Sequence, residues 1–183
     1  MYGGSFGEGA AYGAMGGAGG GAISAFATSQ QFQNLAEGYG FKSNNDVIDT
    51  LGKEGRFQEA IDYASKKYNL PSGKYDPDNP YFGVTDMRTG EVTYGQLAFS
   101  GRSQVQATGF HEGVHVSQFK LGKVVWDSNG TRIINKYSLE VDAGRQTLGN
   151  AWKLNLTRQA VQDEKAYLRE NLIKAGWEKQ GVN

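Results

Sequence analysis

The chain holds two histidines, and they stand four residues apart in Gly109-Phe110-His111-Glu112-Gly113-Val114-His115, with a glutamate directly after the first. On a helix, positions i and i+4 lie one turn apart on one face, so the two imidazoles can converge on a single ion. Zinc suits such a pair: it takes imidazole nitrogen at about 2.0–2.1 Å and favours a tetrahedron. Glu112 lies about 100° round the helix from His111. That angle is poor for a third ligand and good for reaching a water on the same metal. Zinc acidifies such a water and polarises a carbonyl, and a carboxylate takes the proton, which is the chemistry of peptide hydrolysis. Chance would place two histidines and a glutamate this way in roughly one such chain in 2,000. The alternative, a solvated helix with a charge pair, explains neither the spacing nor the use of the only two histidines.

A catalytic zinc takes three protein ligands and keeps one position open. The chain has no cysteine and no third histidine, so the third ligand must be a carboxylate. Downstream candidates are Asp127, Glu140, Asp142, Asp163, Glu164, Glu170 and Glu178. Glu140 is favoured. It falls 25 residues after His115 near the start of an expected helix, and small Ala143 on the same face would let that helix come close. Asp142 comes next. As an ordinary first-turn charge, Glu140 would contribute only a few tenths of a kcal/mol. Zinc is the expected metal, although nitrogen and oxygen ligands also accept iron or manganese. The developing oxyanion needs a second donor, for which Tyr137, three residues before Glu140, and Arg145 are candidates, although a plain surface position is the favoured reading for both. Gln118, one turn past His115, is a candidate to bond a neighbouring loop or a substrate backbone, although a polar contact at the helix end is the favoured reading. Gly109 and Gly113 each cost a helix about 1 kcal/mol relative to alanine. Either they fall there by chance or something packs against the helix backbone, a strand or Trp152.

"HEGVH" followed by "LEVDA" resembles the zincin peptidases of the gluzincin type. More narrowly, the run from "GEVTYGQLAFSGRSQVQATGFHEGVHVSQ" to "SLEVDAGRQT" looks like the metallopeptidase toxin domains at the C-termini of bacterial polymorphic toxins, Rhs-type proteins among them. The resemblance covers residues 81–150. It implies that His111, His115 and Glu140 bind one zinc ion and that Glu112 is the catalytic base. It further implies a secreted or delivered toxin domain within a larger protein, acting on a protein or peptide substrate and answered by an immunity protein. The chain departs from the pattern at Gly144, where many gluzincins place an aspartate that orients a metal-bound histidine. Asp142 is the weak substitute.

Elements must position these residues. Ser43, Asn44 or Asn45 can cap a short helix ended by Gly52 or Gly55. Phe57, Ile61, Ala64 and Tyr68 mark one face of a second helix. Residues 71–80 hold all three prolines and read as loop. Val84 and Val92 flank a turn with Gly90 at its end, which predicts a β-hairpin. Its second strand, residues 91–99, should run directly into the motif helix, residues 100–121, and could offer a sheet edge to a substrate chain. Asn129-Gly130 predicts another short hairpin. Ser138 can cap a helix reaching about Leu156. Thr157 starts a last one, with Val161, Leu168, Leu172 and Ala175 inward and Gly176 ending it. The expected class is α+β, a small antiparallel sheet packed on a zincin-like metal-binding helix with further C-terminal helices.

Bulk properties set outer limits. Residues 1–38 are mostly Gly and Ala at their start, with no Lys or Arg before residue 28, and read as a flexible linker or passage segment. Residues 39–183 are expected to form the zinc peptidase-like domain. A formal net charge of zero argues against a nucleic-acid partner. No segment is apolar for long enough to span a bilayer, and the chain shows no signal peptide. The ten Tyr, nine Phe and three Trp, without a basic excess, read as core and pocket lining. Two rival functions stand beside the peptidase: a non-catalytic zinc-binding interaction module, and a membrane-perturbing toxin acting through the Gly/Ala-rich segment.

Overall fold

A computed structural model describes residues 43–179. The Gly/Ala-rich segment lies outside the described residues. The elements in order are α1 (Asn44–Lys53), α2 (Phe57–Tyr68), β1 (Lys74–Tyr75), β2 (Gly83–Thr85), β3 (Val92–Tyr94), a 3-10 turn (Gln96–Phe99), α3 (Gln104–Lys120), α4 (Lys136–Gly149) and α5 (Arg158–Lys179). Among the described residues, five helices and a three-stranded sheet make an α+β fold.

Local chemistry sets the first two helices. Ser43 caps α1, its Oγ accepting from the Asp46 amide at 3.3 Å. Asn69 ends α2 in the left-handed region with φ 53°. Val47, Ile48 and Leu51 of α1 and Ala60, Ile61 and Ala64 of α2 are buried together with Val92, Tyr94 and Val105, forming the apolar core. Phe57 stacks on Tyr75 and Phe99, each pair of ring centres 4.6 Å apart.

The sheet differs from expectation. Its order is β1-β3-β2, with β2 antiparallel and β1 parallel to β3, so it is mixed rather than antiparallel. β1 lies inside the proline-flanked stretch read as loop, two residues long between Pro71 and Pro77. The hairpin is present, Thr85 opposite Val92, with Gly90 at φ 77° in its turn. Its second strand stops at Tyr94. A Cβ on Gly95 would run into the carbonyl oxygens of Asn79 and Tyr81, so the chain is pinched there and turns away into the 3-10 segment. β3 is thus the central strand, and the edge for an added strand expected along residues 91–99 is already taken by β1.

The motif helix begins at Gln104 rather than residue 100, after Ser103 in the left-handed region at φ 65°. Asn129-Gly130 turns as expected, with Gly130 at φ 65°, but the flanks share a single bridge, Trp126 to Ile133. Met87, Ile133 and Leu139 form a second small core there, with Val124 and Trp126 against it. α4 starts at Lys136 instead of at a Ser138 cap and ends at Gly149, well before Leu156. The side chain and amide of Asn150 both bond the Gln146 carbonyl and close the helix. Thr157 does cap α5, accepting from the Ala160 amide at 3.3 Å. α5 then runs past Gly176. Its buried face is Ala160, Glu164, Tyr167, Asn171 and Ala175. Of the residues expected inward Ala175 is buried, Val161 and Leu168 are half-buried and Leu172 is exposed, so the buried face overlaps the expected one only in part. Among the described residues, no helix is long and apolar enough to cross a membrane.

Candidate metal centre

α3 is enclosed along most of its length, and it buries Gln104, Gln106, Thr108, His111, Glu112, His115 and Gln118. Two glycines allow this. A Cβ on Gly109 would stand 2.6 Å from the Tyr94 hydroxyl and 2.8 Å from Leu70 Cδ1, and one on Gly113 would stand 3.0 Å from Pro71 Cδ. The close approach comes from strand residue Tyr94 and the Leu70-Pro71 segment. Trp152, the other candidate, is 78 % exposed. Gly83 does the same for β2: a Cβ there would stand 2.5 Å from Thr108 Cγ2 and 3.0 Å from Glu112 Cγ.

His111, His115 and Glu140 meet between α3 and α4, one donor atom of each lying within 4.8 Å of the others. Glu140 Oε2 is 3.1 Å from His111 Nε2 and 3.2 Å from His115 Nε2. Two donors about 2.0–2.1 Å from one ion in a tetrahedron stand about 3.3 Å apart, so these separations fit a zinc site. The rings' far nitrogens are both engaged. His111 Nδ1 lies 3.1 Å from Glu164 Oε1. His115 Nδ1 lies 2.7 Å from Gln118 Oε1, and that amide is oriented because its Nε2 donates to the Leu139 carbonyl and to Asp142 Oδ2, each at 3.0 Å. Nδ1–H donation to these acceptors leaves Nε2 of a neutral ring as a bare lone pair. Two such lone pairs and a carboxylate oxygen then face one another inside the protein. They need positive charge between them, supplied either by two further protons or by one cation.

The electrostatics agree. Burial alone would lower the pKa of both histidines, but Glu164 and Glu140 raise that of His111 well above its ordinary value, and Glu140 raises that of His115. Burial would raise the pKa of Glu140, and the two histidines override it and pull the carboxyl far down. The cluster thus draws in positive charge.

Glu112 sits beside this group. Its Oε2 accepts from Thr85 Oγ1 at 2.8 Å, while its buried Oε1 has no hydrogen-bond partner. Burial raises its pKa, opposed by His115 and His111. The carboxylate therefore has one oxygen anchored on β2 and one buried without a hydrogen-bond partner.

The remaining expectations divide. Asp142 is not in the donor group; it reaches His115 only through Gln118, so it supports a histidine indirectly. Gln118 is 2 % exposed and bonds the motif's own His115 rather than a neighbouring loop. Arg145 is exposed on α4. Tyr137 is half-buried, its ring beneath the Lys136 and Lys174 ammonium groups at 5.8 and 5.4 Å. The tyrosine whose hydroxyl bonds Glu140 is Tyr167, at 2.9 Å from Oε2. The carboxylate that holds His111 is Glu164, and Gly144 makes room for it: a Cβ at residue 144 would stand 3.2 Å from Glu164 Oε1. Sequence reading placed Glu164 only among possible ligands and missed Tyr167. Their i, i+3 spacing on α5 was the available signal, but α5 is polar on its other faces too, so the pair did not stand out. No protein-family model, curated protein or solved structure matches this chain.

Proposed function

We propose that this protein is a zinc-dependent peptidase, with His111, His115 and Glu140 holding the ion and Glu112 as general base. The carrying observation is the convergence of two imidazole nitrogens and a carboxylate oxygen beside a buried carboxylate with an unpartnered oxygen. Zinc at this position supplies a Lewis acid that polarises a carbonyl and makes water acidic. The chain's residues do the rest. Glu164 and Gln118 hold the rings with Nε2 inward. Thr85 fixes one oxygen of Glu112, and the other accepts a proton from the attacking water and returns it to the departing amine. The resemblance of residues 81–150 to polymorphic toxin domains extends the proposal to a delivered bacterial toxin acting on a protein of the target cell, with an immunity protein as its natural inhibitor.

One observation favours a second reading. His111, Glu112, His115 and Glu140 are each no more than 2 % exposed. A polypeptide substrate must open this site, whereas a zinc ion that serves only to hold a binding module together need not be reached. Cleavage of an unfolded protein substrate separates the two. Zinc-loaded wild type should cut it, and Glu112→Gln should keep its zinc while cleavage falls about 10²–10⁴-fold. Equal, background cleavage by both proteins with zinc bound would favour the structural role.

A further inference from the structure

Three groups converge on Glu140 Oε2: the two Nε2 atoms and the Tyr167 hydroxyl at 2.9 Å. Tyr167 is 7 % exposed, and its ring meets His111 edge to face with centres 5.7 Å apart. A phenol with an ordinary pKa near 10 is protonated at neutral pH, so its O–H donates. The carboxylate cannot turn about its Cγ–Cδ bond without losing the Tyr167 bond, so Oε2 is held as the oxygen facing the histidines. We propose that Tyr167 is a positioning residue that makes Glu140 a one-oxygen ligand, so that the metal is held by His111, His115 and a single carboxylate oxygen with one position left over. This rests on the metal-centre reading above. Phenylalanine at 167 would keep the ring and remove the tether, and the carboxylate could then rotate to present both oxygens.

Zinc is spectroscopically silent, so Co²⁺ is the probe. Four-coordinate Co²⁺ absorbs visible light several-fold more strongly than five-coordinate Co²⁺. Wild type, Tyr167→Phe and Tyr68→Phe would each be loaded with one equivalent. Tyr68 is the control, because its hydroxyl bonds Asn45 Oδ1 at 3.1 Å. Intense four-coordinate spectra for wild type and Tyr68→Phe, with a several-fold weaker spectrum for Tyr167→Phe at equal cobalt content, are expected. A wild-type spectrum in Tyr167→Phe, whatever its melting temperature, overturns the role of Tyr167 and leaves the metal centre standing. No cobalt or zinc uptake by wild type overturns both. Should Tyr167→Phe fail to fold, X-ray absorption of zinc-loaded wild type reads the same property. One carboxylate oxygen at about 2.0–2.2 Å supports the proposal, and two overturn it.

Discussion

Between α1, α2 and β3 the interior is Val47, Ile48, Leu51, Ala60, Ile61 and Val92; between α3, α4 and α5 it is His111, His115, Glu140, Glu164, Tyr167 and Asn171. Both regions are buried to a similar degree, and they pack by different physics. The first gains from removing apolar surface from water, at roughly 25 cal/mol per Å², and needs no particular partner for any atom. The second buries ionisable groups, which is unfavourable unless each is paired. Its contacts are specific, each imidazole nitrogen facing one named oxygen, and two imidazoles meet at a single carboxylate oxygen of Glu140. The lesson is that the helical half cannot be treated as a second apolar core. Its stability should depend on what binds there, and that of the α1–α2 half should not.

The largest expected effect falls on the apolar side. Ile61→Ala removes a fully buried side chain and should cost about 2–5 kcal/mol in urea unfolding, with zinc affinity of the folded protein unchanged. A large change in affinity would mean the two halves are not separable. Next is Glu164→Gln, which keeps the shape and removes the charge behind His111. Zinc affinity measured by chelator competition should drop about 10–100-fold, equivalent to roughly 1.4–2.7 kcal/mol. An unchanged affinity would show that the bond from His111 to α5 is incidental. The smallest is Ser43→Ala, which deletes the α1 cap and should lower stability by about 1 kcal/mol in metal-free and zinc-loaded protein alike. A loss seen only with zinc present would show that the ends of the molecule communicate.

Legibility in the sequence follows the same division. Spacing is visible without a fold, so His111, Glu112 and His115 declare themselves. The lack of cysteine and of a third histidine narrows the third ligand to a carboxylate, and Glu140 is favoured among the seven by its place near a helix start with small Ala143 on the same face. Turns at Gly90 and Gly130 were readable because each needs a positive φ. Three kinds of feature were not readable. β1 is two residues long and pairs in parallel with a strand 19 positions later, which leaves no periodic trace. The stop of β3 at Tyr94 arises from carbonyls of a distant loop pressing on Gly95. The orientation of α5 was partly misjudged because apolarity was taken to mark the inner face, and here Glu164, Tyr167 and Asn171 hold it. Buried polar residues are bought in by specific partners, and partners are a property of the assembled fold.

The central claim is that His111, His115 and Glu140 bind one metal ion while Glu112 does not. Elemental analysis of purified wild type, Glu112→Gln and Glu140→Ala, each supplied with zinc and then freed of excess, addresses it directly. About one zinc per chain is expected in wild type and in Glu112→Gln, with loss in Glu140→Ala. Wild type that retains no zinc, or Glu140→Ala that retains it fully, would contradict the claim.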